Sequence, residues 1–229
     1  MQSNLLRRIW VPTSIEFMAD DELQESVLVL AREAVDRLCP RTFSRDGQGV
    51  AAAVLANRRF VERTVAEHDF SCKQVIPYVV IRHEERYLLM RRTERQTESR
   101  LHNKYSLGVG GHINKDDLRP AEDNVILAGM RRELAEEIRV EAEQSCQLIG
   151  AINDDSTEVA RVHLGLVFLL TTASARYVIV EQDKYTAAWK SAGELAQYYD
   201  QMETWAQIVH DYVVLSGATE RARKWEQHR

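Results

Sequence analysis

Residues 131–138, RRELAEEI, constrain this chain more than any other stretch, because a helix there carries three carboxylates along one edge beside an apolar stripe. At about 100° per residue, Glu133, Glu136 and Glu137 fall within an arc of roughly 100°, next to Leu127, Met130, Leu134 and Ile138. Acids this close repel one another, by about a few tenths of a kcal/mol per i,i+4 pair in water and by more where solvent is scarce. The edge is either a solvated face, with Arg132 and Glu136 as a surface pair, or the seat of a cation.

What surrounds the helix favours the cation. The run QVIPYVVIRHEERYLLMRR, 74–92, reads as two strands joined by a polar turn at His83–Glu85. YSLGVGGHI, 105–113, is a further short strand ending in Gly110–Gly111. After the acid-edged helix come strands around 146–152, 159–171 and 176–181, then helices around 191–198 and 200–215. Before residue 73, the spacing of Leu23, Val27, Leu30 and Val35 predicts a helix over 20–38, stopped by Pro40, and a second helix over about 48–67 follows the turn RDGQG. The expected fold is α/β, with helices sandwiching a mixed sheet. Residues 1–72 form a mainly helical extension and 73–229 the main domain with its C-terminal helices.

Composition removes several function classes. A net charge of −5 and a pI near 5.9 disfavour generic attraction to nucleic acid or anionic membrane, so any phosphate binding must be local. Cys39, Cys72 and Cys146 lie far apart with no CxxC, which argues against a disulfide framework and against a cysteine-based zinc site. No apolar run nears the roughly 20 residues of a membrane span, and the N-terminus lacks the apolar core of a signal peptide. A cytoplasmic location is expected.

Gly111 followed by Arg132-Glu133-Leu134-x-Glu136-Glu137, with Val140 at the last aliphatic position, resembles the Nudix box, G-x5-E-x7-R-E-U-x-E-E-x-G-U, where U is aliphatic. The resemblance covers roughly residues 74–200. It implies a MutT-like Nudix hydrolase fold, a divalent metal, Mg²⁺ or Mn²⁺, and cleavage of a diphosphate linked to another moiety. Three departures mark a variant box. The segment 112–131 has seven residues more than the pattern, Asn124 stands eight before Arg132 where the pattern has Glu, with Glu122 and Asp123 out of register, and Arg139 replaces the late Gly.

A diphosphate is dense in negative charge, and hard cations with oxygen ligands neutralise it and orient the attacking water. Glu133 and Glu137, at i,i+4, are the expected metal ligands, as the resemblance also implies. Glu136 is either a third ligand or the base, with Arg132 orienting it by a charge-assisted hydrogen bond. Gly110 and Gly111 permit close backbone approach. The basic loop 91–104, holding Arg92, Arg100 and Lys104, is either a receptor for anionic parts of the substrate or an exposed hairpin arm. NDDSTE, 153–158, offers Glu158 as a base outside the box or is a polar turn, and His112 and His163 read as structural ahead of substrate contacts. The expected partner is a small-molecule diphosphate, and a homodimer is compatible with the chain. A module that binds and senses such a ligand without cleaving it is the second reading, less favoured because a binder has little reason to keep three repelling acids.

Overall fold

A computed structural model describes residues 25–40, 42–93, 103–118 and 124–216. Strand β1 (Ser26–Ala31) leads into helix α1 (Arg32–Leu38). After them come β2 (Phe43–Ser44), α2 (Gly47–Ala56), β3 (Arg59–Glu62) and the short α3 (Arg63–Ala66). Then follow β4 (Cys72–His83), β5 (Arg86–Arg92), β6 (Tyr105–Ser106), β7 (Gly108–Val109), a 3-10 turn at Lys115–Asp117, and α4 (Val125–Glu137). Beyond α4 lie β8 (Ile138–Val140), β9 (Glu143–Ile152), α5 (Glu158–Arg161), β10 (His163–Thr172), β11 (Tyr177–Ile179), β12 (Tyr185–Ser191), α6 (Ala192–Leu195) and α7 (Thr204–Val209), which continues through a wider turn at His210–Val214.

Among the described residues the main sheet runs β12-β5-β4-β10-β9-β2. Its centre is the parallel pair β4 and β10, from His163 beside Gln74 to Thr172 beside His83, and the other pairings are antiparallel. Both central strands are buried almost throughout, which accounts for their unbroken apolar composition. On one face, Val125, Ile126 and Met130 of α4 pack with Val79, Ile81 and Leu166 and with Val35 and Val50 of the N-terminal helices. On the other, Ala206 and Val209 of α7 pack against Tyr78, Val80 and Leu89. The α/β sandwich around a mixed sheet is therefore as expected.

The N-terminal region differs from expectation. Residues 26–31 and 59–62, read as helix, are strands. β1 pairs with β3, Val27 opposite Val61, and with the start of β4, Leu30 opposite Lys73. A short apolar run fits a helix or a buried strand equally by periodicity, and the pairing partners decide between them. β1 also reaches toward the box, where the Leu28 N–H donates to the Ile113 carbonyl at 2.8 Å. The turn expected at His83–Glu85 is present, with Glu84 at φ 51°.

Candidate functional site

β7 lies antiparallel to Val79–Val80 of β4 and delivers Gly110–Gly111 across the strand's middle. A side chain on Gly110 would strike the Pro77 carbonyl, so that glycine is required by close backbone approach, and one on Gly111 would displace the Glu133 carboxylate from its present place. Gly111 thus makes room for the acid edge of α4.

Asn124 starts that helix, its Oδ1 accepting from the N–H groups of Ile126 at 3.0 Å and Leu127 at 3.3 Å. The residue that breaks the pattern eight before Arg132 is the helix cap. The acid of the pattern's first half is Asp117, six positions after Gly111, which the sequence reading passed over. Buried to 1% exposure, it accepts a fork of hydrogen bonds from Arg132, 2.9 Å from Nε and 3.0 Å from Nη2. Counting from Gly111 finds Asp117 and counting back from Arg132 does not, because the seven extra residues fall between the two. Glu122 and Asp123 lie outside the described residues.

Arg132 was expected to orient Glu136, but its principal anchors are Asp117 and the His112 carbonyl, to which Nη2 donates at 2.8 Å. Its Nη1 lies 2.8 Å from Glu133 Oε1 and 3.3 Å from the more exposed Glu136. Burial raises the Glu133 carboxyl above its ordinary value, opposed by Arg132 and reinforced by Glu136. Burial pushes Glu137 up to about 8, against the attraction of Arg92 and a hydrogen bond from Tyr185, and Glu133 adds repulsion. Two desolvated acids, the first raising the pKa of the second, in a cradle that a Cβ at Gly111 would fill, form an all-oxygen donor set suited to a hard divalent ion. The place of the late Gly needs no left-handed residue, since α4 passes directly into β8 with Ile138 extended at φ −149°, ψ 144°.

Beside the glycines opens a cavity of about 440 Å³, lined among others by Ile76, Tyr78, Trp205, Arg92 and Glu158. Arg92 belongs to its wall rather than to a free arm. Its Nη1 donates to the Tyr185 hydroxyl at 3.2 Å and its Nε stands 3.4 Å from Glu203, which also accepts from Ser106 at 2.6 Å and Tyr78 at 3.1 Å. Lys104 lies on the same cavity and is exposed, whereas Arg100 lies outside the described residues. Glu158 opens α5, on a segment held down by the fully buried Lys73, whose Nζ donates to the carbonyls of Asp154 at 3.0 Å and Ala160 at 3.2 Å and to Asp155 at 2.9 Å. Asp155 also pairs with Arg32, and Asp154 caps the turn at Ser156, so these two acids hold the loop in place. Nothing in the sequence around Lys73, Tyr185 or Glu203 signals these roles.

The chain is 36% identical over 201 residues to Protein YmaB of Bacillus subtilis (strain 168), across 83% of this chain and 98% of that protein. It is 32% identical to Tm1382, whose crystal structure is assigned to the Nudix hydrolases, with a TM-score of 0.71 over 83% of this chain and 98% of that one. The chain belongs to the Nudix superfamily. No family model matches it. The Nudix domain of Shewanella oneidensis NrtR, solved with ADP ribose, matches at a TM-score of 0.50 and 14% identity over 75% of this chain and 97% of its own, a likeness of fold. Coverage of 83% exceeds what residues 73–229 alone can supply, so the likeness to Tm1382 and YmaB reaches into the first 72 residues. Among the described residues of this Nudix protein, no helix is long and apolar enough to cross a membrane.

Proposed function

We propose that this Nudix protein hydrolyses the diphosphate bridge of a small molecule whose other moiety is a flat, weakly charged ring system of the nucleoside kind. One observation carries the reading: the desolvated edge of Glu133 and Glu137 adjoins, through Gly111, a largely apolar cavity walled by Tyr78 and Trp205. Aromatic walls stack on flat rings. Glu133 and Glu137, with Glu136 at the exposed end of the edge, would hold Mg²⁺ or Mn²⁺, which would supply positive charge to the diphosphate oxygens and orient water. Asp117 fixes Arg132, and Arg132 fixes Glu133. Glu158, on the cavity wall, accepts the proton from water. Gly110 and Gly111 admit the phosphates, and Lys104 meets their outer charge at the rim. Arg92 already faces Glu203 and Glu137, so the pocket's cationic demand on a substrate is modest, and a nucleotide-like compound fits it better than a highly anionic one.

The test is a panel of nucleoside-diphosphate-linked compounds and dinucleoside polyphosphates with Mg²⁺ or Mn²⁺, with products followed by phosphorus NMR. Glu137→Gln lowers kcat by at least about 100-fold on the best substrate, the scale of losing a preorganised charge. Glu158→Gln alters the acid limb of the pH–rate profile. Stoichiometric binding of a panel compound without turnover by the wild-type protein would overturn the enzyme in favour of a sensor.

A further inference from the structure

Beside the carboxylate edge, but sharing no ligand with it, three residues converge from separate elements: His112 from the loop after Gly111, His163 from the start of β10, and Glu67 from the end of α3. One ligating atom from each lies within 4.8 Å of the others. The two histidines face one another through Nε2, 3.4 Å apart. Two nitrogens at about 2.0–2.1 Å from a tetrahedral zinc stand about 3.3–3.4 Å from each other, so this spacing is that of two ligands on one ion.

The surroundings support the same assignment. His163 Nδ1 donates to the Val159 carbonyl at 2.6 Å, which leaves the Nε2 lone pair directed at His112. A metal-binding imidazole is ordinarily oriented by such an outer contact. Glu67 is only loosely engaged, its Oε1 lying 3.5 Å from Arg63 Nε while Arg63 makes its short ion pair, 2.7 Å, with Glu25. Gln74 is the register partner of His163 and shares its face of the sheet. It is fully buried, yet neither amide atom has a hydrogen-bond partner among the described residues. Buried amides rarely go unsatisfied.

We propose that His112, His163 and Glu67 form a binding site for a borderline divalent cation of the Zn²⁺ class, separate from the carboxylate edge and joining the N-terminal segment to the cavity wall. Two imidazoles with one carboxylate suit Zn²⁺ or Co²⁺, whereas the all-oxygen edge suits Mg²⁺ or Mn²⁺, so the two sites divide by ligand type.

The test uses the full chain, stripped by chelator and titrated with Zn²⁺ against a chromophoric competitor, with Co²⁺ read in parallel by its visible d–d absorption. One equivalent binds the wild type and still binds the Glu133→Gln/Glu137→Gln double variant. His163→Gln and Glu67→Gln each weaken binding by more than about 100-fold, beyond the roughly 10–100-fold cost of losing an outer contact. Glu67 is only half-buried, so Glu67→Gln decides the matter if His163→Gln fails to fold. No Zn²⁺ bound by the wild type would mean that the histidine pair is bridged by a proton alone and would overturn the proposal. Binding lost in the double variant, or unchanged in Glu67→Gln, would overturn it as well.

Discussion

At the residue scale, the box depends on one buried pair. Among the described residues, Asp117 accepts from Arg132 and from the Asn114 N–H, which donates to it at 2.8 Å. Removing one partner of a buried pair costs about 3–5 kcal/mol. Arg132 keeps 22% exposure and its contact with Glu133, which places Asp117→Asn at the lower end, about 3 kcal/mol. The urea midpoint should fall accordingly with an unchanged slope. Glu137 yields a pH prediction. Its pKa is raised, from 4.5 unfolded to about 8 folded, so its contribution to stability is complete below 4.5 and is lost as pH rises through 8. Between about pH 5 and 8 the metal-free protein should lose melting temperature, and above 8 the loss should level off. Added Mg²⁺ should oppose that loss, because the ion binds the ionised carboxylate. Thermal scans with EDTA and with Mg²⁺ read this directly, and Glu137→Gln should flatten the slope. The glutamates were legible in the sequence because helical spacing alone puts them on one edge. Asp117 was legible only by counting from the glycine, since the acid is one methylene short and the insertion follows it. Tyr185 and Glu203 were not legible, because nothing local distinguishes a polar residue that will face a buried arginine from one that will face water.

At the scale of elements, α4 begins where its cap dictates. Asn124 satisfies two of the free N–H groups of the first turn, and Asn124→Ala should cost about 1 kcal/mol while Asn124→Asp costs little. Chemical denaturation of the two variants separates a capping role from a metal-binding one, because loss of the cap lowers stability equally with and without Mg²⁺. Elements with a local signal were read from sequence: β4 and β5 from their apolar runs, the Glu84 turn from its polar residues, and α4 from its stripe. β1 and β3 were not. In SVLVLA, the spacing of Val27 and Leu30 mimics a helix, and the residues that make it a strand, Val61 and Lys73, are remote in sequence.

At the scale of the whole molecule, the N-terminal region is part of the core. Leu28, Leu30, Val35, Val50 and Val54 are each 1% exposed or less and pack with α4 and the central strands. At about 2 kcal/mol per buried side chain, deleting them forfeits roughly 10 kcal/mol, comparable to the whole net stability of a domain. A chain beginning at residue 73 should therefore show no cooperative unfolding transition by circular dichroism, whereas the full chain does. The centre of the sheet has a further consequence, in time rather than in space. β4 and β10 lie side by side in parallel, joining Gln74 to His163, and such a pairing bears a large loop-closure cost before it returns any stability. During synthesis β1, β3 and β4 leave the ribosome able to pair among themselves, but the cavity wall does not exist until β10 follows. The growing chain must carry an exposed apolar β4 edge for all of that interval.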